Sequence, residues 1–226
     1  MHITVYGDSI LKGVRLEDRR YVIDREWEQQ FSLLFGWEIT NRSRFGCTLS
    51  KGLSLMRRDL ERSSESGLAV LEFGGNDCDH DWASISSDPE GEHTSKTSPE
   101  AFYALYREAI ALVRRHGMTP LVLTLPPIHS EAYLSFICRN GLSRGSILRW
   151  MGDAERISRW QESFSDLAAR AAYAEGARLI DLRAAFPKEQ DLIRPLVCDD
   201  GIHPSRLGQW LIFRTLCECA GISAAG

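Results

Sequence analysis

The chain has 226 residues, 43% hydrophobic and 26% charged, with 27 Lys and Arg against 31 Asp and Glu for a net charge of −4. These proportions exclude disorder, collagen and coiled coil, and a chain of this length buries enough surface to fold without disulfides or a structural metal. The acidic excess argues against a duplex nucleic acid as partner, because such proteins replace counterions with basic groups. No apolar run reaches the 18 or so residues of a membrane span.

A strand pattern begins at His2 with no leader pattern ahead of it, so a cytoplasmic protein is expected. The six cysteines (47, 78, 138, 198, 217 and 219) show neither a CxxC pair nor zinc-ribbon spacing, and free, mostly buried thiols are expected.

Residues 2–6 read as a buried strand that ends in Gly7. Asp24 is placed to cap a helix over 25–35, with Trp27, Phe31, Leu34 and Phe35 at helical spacing and Gly36 as the stop. Residues 37–40 read as a second strand, followed by a loop through Cys47. Leu49, Leu53, Met56 and Leu60 make an amphipathic helix. Residues 68–73 form a third strand ending at Gly74-Gly75. Residues 77–99 are polar and read as a long loop. Ser98-Pro99-Glu100 opens a helix to about His116 with a cap, a first-turn proline and an acid at the positive end. Residues 120–125 are the fourth strand, and 129–153 read as irregular or briefly helical. A long helix covers 154–175, a fifth strand 178–182, and a last helix 204–220.

Strand and helix alternate five times, and the strands are short and almost wholly apolar, as when both faces are covered. An open parallel α/β sheet is expected, as one domain over 1–226 with inserts near 77–99 and 129–153. In such sheets the site lies beyond the C-terminal strand ends. Those ends carry Gly7-Asp8-Ser9-Ile10, the Asn41–Gly46 loop and Gly74-Gly75-Asn76-Asp77, and the Asp199–Pro204 turn lies near the C-terminus.

Singly, each reads as a turn or a cap. Together they supply what acyl transfer needs: a hydroxyl, a base, an orienter for the base and donors for an oxyanion. Ser9 is the candidate nucleophile and His203 its base. Asp200, three residues before His203, is the candidate orienter, with Asp199 as rival. The backbone N–H groups of Ser9 and Gly46 and the Asn76 amide are the candidate oxyanion donors. Asp8 and Asp77 are expected to hold loops. The serine does not sit in a Gly-x-Ser-x-Gly elbow.

The blocks Gly7-Asp8-Ser9-Ile10, Gly46, Gly74-Gly75-Asn76-Asp77 and Asp200-Gly201-Ile202-His203 resemble, in order and approximate spacing, the four blocks of the SGNH (GDSL) hydrolases. The resemblance spans nearly the whole chain. It implies a flavodoxin-like three-layer α/β/α sandwich of strand order 2-1-3-4-5 and a serine esterase or lipase that uses no metal and no cofactor. It also implies Ser9, Asp200 and His203 as triad, with Gly46 and Asn76 as oxyanion donors. Gly52 is a second candidate for the glycine block, and Ile10 replaces the block's leucine.

Substrate choice is left to the inserts. Asp79, Trp82 and Trp150 are the candidate substrate-binding residues. Aromatic groups mixed with charges suit a polar substrate such as a small-molecule or oligosaccharide ester, and neither insert offers the continuous apolar groove a long acyl chain would want. A short-acyl, acetyl-type carbohydrate esterase is therefore expected. The alternatives are a lipase- or thioesterase-type acyl hydrolase and a catalytically silent module that binds acylated sugars. A homo-oligomer is compatible with the sequence.

Overall fold

The computed structural model describes residues 1–62 and 66–220. In chain order the elements are β1 (His2–Gly7), β2 (Val14–Glu17), β3 (Arg20–Ile23), α1 (Glu26–Phe35), β4 (Glu38–Asn41), α2 (Leu49–Leu60), β5 (Gly67–Glu72), α3 (Trp82–Ser87), α4 (Pro99–Arg115), β6 (Met118–Leu123), α5 (Ser130–Cys138), α6 (Arg144–Met151), α7 (Arg156–Ala174), β7 (Arg178–Ile180), α8 (Gln190–Ile193) and α9 (Arg206–Cys219). Five strands form one parallel sheet of order β4-β1-β5-β6-β7, the expected 2-1-3-4-5.

Alternation along each strand sorts side chains to two layers. Ile3, Val5, Val70, Leu121 and Leu123 face a core shared with Phe31 of α1 and Ile212 of α9. Tyr6, Ala69, Leu71 and Val122 face the other core, with Met56 of α2, Ile110 of α4 and Phe164 of α7. The order of connection reverses at β1 and β5, which leaves a crevice beyond their C-terminal ends. Gly7-Asp8-Ser9 and Gly74-Gly75-Asn76 stand there.

Asp24 does not cap α1 as expected: the N-cap position is Arg25, and Asp24 Oδ1 accepts from Glu26 N–H at 2.9 Å one residue outside the helix start, whereas two other helix starts follow local rules. Ser98 caps α4 by accepting from Ala101 N–H, with Pro99 in the first turn. Ser205 caps α9 by accepting from Gly208 N–H.

The structure departs from the expected pattern in two regions. Residues 14–23 form an antiparallel hairpin, with Leu16 opposite Tyr21 and Glu17 opposite Arg20. Its two-residue turn, Asp18-Arg19, has φ of 47° and 64°. Such turns normally announce themselves with Asn-Gly or Asp-Gly, and here neither turn residue is glycine.

The inserts are also more ordered than expected. Residues 77–99 contain α3, and 129–153 contain α5 and α6. The two segments bury one another: Trp82, Ile85, Ile128, Leu134, Ile147 and Met151 form a third apolar cluster with Ala154 and Ile157. Neither sequence stretch is continuously apolar, but their apolar residues converge in space. Of the six thiols, all free, Cys47, Cys78 and Cys217 are buried, Cys138 and Cys198 are half-buried, and Cys219 is exposed. Among the described residues no helix is long and apolar enough to cross a membrane.

Candidate active site

Ser9 stands in the turn that closes β1. Asp8 organises this turn: its Oδ1 accepts from Ile10 N–H at 2.9 Å and its carbonyl accepts from Lys12 N–H at 3.1 Å. Gly7 must lack a side chain, because a Cβ there would lie 2.9 Å from the Glu72 carbonyl oxygen of the neighbouring strand.

His203 and Asp200 share one turn at the other end of the chain. Asp200 Oδ1 accepts from the N–H groups of Ile202 (3.1 Å) and His203 (3.0 Å). Its Oδ2 lies 2.6 Å from His203 Nδ1, and His203 Nε2 lies 2.9 Å from Ser9 Oγ. This geometry places the proton on Nδ1 and leaves Nε2 to accept from the serine. Gly201 makes the turn possible. It has φ +74°, and a Cβ there would lie 2.5 Å from Tyr133 N.

Asp200 and His203 are buried, at 0% and 2% exposure. Burial opposes the charge on Asp200, but the His203 hydrogen bond and charge, with the His203 and Ile202 N–H groups, outweigh it and hold the carboxyl below its usual range. Asp199 is excluded from this role by position. It bonds Arg194 at 2.8 Å, with its side chain 89% exposed.

Asn76 follows β5 and donates one amide hydrogen to Asp8 Oδ2 at 2.9 Å, leaving its second N–H available. Gly46 lies in the loop after β4 with φ +67° and lines the same cavity as Ser9, Asn76 and His203. Gly52, the rival glycine, is inside α2, where a Cβ would lie 2.5 Å from the Phe73 ring. Asp77 accepts from Leu49 N–H at the start of α2 (2.9 Å) and from Thr97 Oγ1 (2.7 Å), which ties the site to the first insert.

Three carboxyls are thus packed behind the serine. Burial raises the Asp8 pKa to about 6 and raises that of Asp77 above its ordinary value. Glu72, at 0% exposure, is pushed well above the ordinary range by burial and then by the Asp8 charge. Neither of its oxygens has a hydrogen-bond partner of normal geometry. One carboxylate in an otherwise apolar strand was the available sequence signal for Glu72. Burial, then Asp8 and Asp77, push the neighbouring Cys47 thiol up to about 11, so it is not a thiolate at neutral pH.

A cavity of about 500 Å³ opens beside Ser9 and is walled on its far side by the inserts. All three expected substrate-binding residues line it. Trp82 is largely committed to the wall: its indole N–H is shared between Asp79 Oδ1 (2.8 Å) and Tyr133 Oη (3.2 Å). Asp79 also takes Lys96 at 2.7 Å. Trp150 lies edge-on to His80, with centroids 5.1 Å apart, and has Arg156 5.5 Å from its ring centre. Leu125, Ile128, Met151 and Ile157 add apolar lining, of which only Met151 comes from an insert. Two aromatics with no earlier expectation attached, Tyr21 and Phe45, flank His203 at centroid distances of 5.2 and 5.8 Å. Among the described residues no three His, Cys, Asp or Glu side chains converge as a metal ligand set.

A model of the GDSL-like lipase/acylhydrolase family matches residues 5–211. Solved structures share the fold over nearly the full length. The lipase/acylhydrolase from Enterococcus faecalis is 16% identical, with 100% of this chain and 99% of that chain covered and a TM-score of 0.64. A member of the lipolytic G-D-S-L family from Veillonella parvula is 16% identical, with 96% of each chain covered and a TM-score of 0.65. An acetyl xylan esterase variant from Geobacillus stearothermophilus is 13% identical, with 100% and 96% covered and a TM-score of 0.66. No curated protein matches the chain by sequence.

Proposed function

The chain belongs to the GDSL-like lipase/acylhydrolase family, and from that premise we propose that it is a serine hydrolase that cleaves a small carboxylic ester through an acyl-enzyme. The observation that carries this reading is the hydrogen-bonded series Ser9 Oγ, His203 Nε2, His203 Nδ1, Asp200 Oδ2 at the edge of the cavity. Ser9 Oγ attacks the ester carbonyl while His203 Nε2 takes its proton. The oxyanion is held by the Ser9 and Gly46 N–H groups and the free N–H of Asn76. Collapse breaks the bond to the alcohol, which leaves with the proton returned by His203. Water, deprotonated by the same nitrogen, then releases the acid. Every step uses this chain's own groups and water.

For the substrate the reading is an acetyl-type ester on a carbohydrate. Support comes from aromatic faces interleaved with polar groups along the cavity, where Trp150 and Trp160 stand among His80, His93 and Gln161. A second reading, a longer-chain acyl hydrolase, is favoured by the apolar side formed by Leu125, Ile128, Met151 and Ile157.

Hydrolysis of 4-nitrophenyl acetate against the octanoate, wild type beside Ser9→Ala, tests both. Serine-dependent cleavage with acetate preferred supports the first reading and leads to acetylated oligosaccharides. Octanoate preferred moves the assignment to the second. Unchanged turnover in folded Ser9→Ala overturns the serine mechanism.

A further inference from the structure

The hairpin of β2 and β3 is attached to both chain segments that meet at the candidate triad. Val14 N–H donates to the Ser9 carbonyl at 3.0 Å, which ties the hairpin's first residue to the serine turn. Leu16 N–H donates to Cys198 Sγ at 3.4 Å. Cys198 N–H in turn donates to the His203 carbonyl at 2.7 Å, and Gly201 N–H donates to the Cys198 carbonyl at 2.9 Å. The hairpin therefore bridges two turns that stand 194 residues apart in sequence. Arg15, 6% exposed, holds its base through Glu17 (2.8 Å) and Asp24 (3.0 Å).

One side chain of this hairpin reaches the triad. Tyr21 lies edge-on to the His203 imidazole, at a centroid distance of 5.2 Å and an interplanar angle of 61°. Phe45 stacks on the same imidazole at 14° and touches Tyr21 with centroids 5.0 Å apart. Tyr21 is itself 43% exposed while His203 is 2% exposed, so a ring in contact with solvent also packs on the buried imidazole. Its hydroxyl also senses the Asp200 carboxylate: burial, then that charge, raises the Tyr21 pKa.

We propose that Tyr21 is a positioning residue, through which the hairpin holds the His203 ring against Asp200 and keeps water from their hydrogen bond. This rests on the triad reading above. Residues acting through His203 change how often the imidazole is in line for proton transfer, which alters kcat. A residue that only touches substrate at the cavity rim would alter KM instead.

The test compares Tyr21→Phe and Tyr21→Ala with wild type on 4-nitrophenyl acetate, with folding checked by circular dichroism. Tyr21→Ala is expected to lower kcat roughly 10- to 100-fold with KM within about threefold, and Tyr21→Phe, which keeps the wall, to recover most of that loss. Proton NMR supplies a readout that needs no turnover. The far-downfield His203 Nδ1 proton should be visible in wild type and Tyr21→Phe and be lost to solvent exchange in Tyr21→Ala. Recording the spectra in a Ser9→Ala background keeps this test valid even if Ser9 proves not to be the nucleophile, a failure that unchanged turnover of Ser9→Ala would reveal separately. Should Tyr21→Ala keep wild-type kcat and an unchanged downfield resonance, or lose only in KM, the proposal is overturned. If Tyr21→Ala does not fold, Tyr21→Thr takes its place with the same expected losses, since threonine suits a strand position and removes the ring that forms the wall.

Discussion

Asp8 and Asn76 are joined by a 2.9 Å hydrogen bond from the asparagine amide to the aspartate carboxylate, across the C-terminal ends of adjacent strands. The bond aims the amide: with one hydrogen committed to Asp8, the second projects in the direction fixed by the amide plane. Asn76→Ala removes a candidate oxyanion donor and leaves Asp8 short of a partner. The expected loss is about 10²–10³ in kcat with KM little changed. Steady-state kinetics on a 4-nitrophenyl ester check this, and a change confined to KM would remove Asn76 from the oxyanion role.

The two neighbouring aspartates of the C-terminal turn make a matched control. Asp200 bonds His203 Nδ1, whereas Asp199 pairs with Arg194 at the surface. Asp200→Asn is expected to lower kcat by about 10⁴, because an asparagine presents an N–H or a weaker acceptor to Nδ1 and disfavours the productive tautomer. Asp199→Asn should stay within about twofold of wild type. Equal effects from the two would mean that the hydrogen-bonded geometry is not the working one.

Glu72 gives a pH signature in stability. Its folded-state pKa is raised, so between the unfolded pKa of about 4.3 and the folded value the native protein keeps a proton that the unfolded chain has released. Stability supplied by that proton is complete at low pH and is lost as pH rises, by up to about 1.4 kcal/mol per unit. Asp8 adds a fall of the same sign between about pH 4 and about 6. Glu72→Gln removes the Glu72 contribution together with its coupling to Asp8. The Tm difference, variant minus wild type, should therefore climb from pH 4 to pH 8. A difference that stays constant over that range would show that Glu72 ionises normally.

Arg19 carries backbone strain. A side chain at φ 64° costs roughly 1–2 kcal/mol, and glycine there relieves it at an unfolded-state cost of about 0.4–1 kcal/mol. In Arg19→Gly the net gain of up to about 1.6 kcal/mol should raise Tm, by up to about 6 °C. A lower Tm would show that the Arg19 side chain makes contacts worth more than the strain.

Much was legible in the order of residues alone. The five-strand alternation is readable because a parallel sheet covered on both faces demands short apolar strands. The candidate groups Ser9, Asn76 and Asp200-x-x-His203 are readable because the proposed acyl-transfer chemistry needs particular residue types at strand ends and turns. Asp200 over Asp199 follows from the three-residue reach of a turn, and the structure has the same pairing.

The hairpin is not legible in the sequence because Asp18-Arg19 lacks the glycine that marks a two-residue hairpin turn. Tyr21 acquires its place only when Val14 and Leu16 bond segments from opposite ends of the chain. The cavity wall is hidden in the sequence for a related reason. Ile128, Met151 and Ile157 are scattered among polar residues in sequence, yet they join one apolar cluster with Trp82 from a segment well upstream. Strand ends and catalytic residue types are local requirements and leave local marks. Glycine 7, Tyr21 and Glu72 owe their environments to neighbours on other segments, and contacts between distant segments come into being only when hydrophobic burial closes the chain on itself.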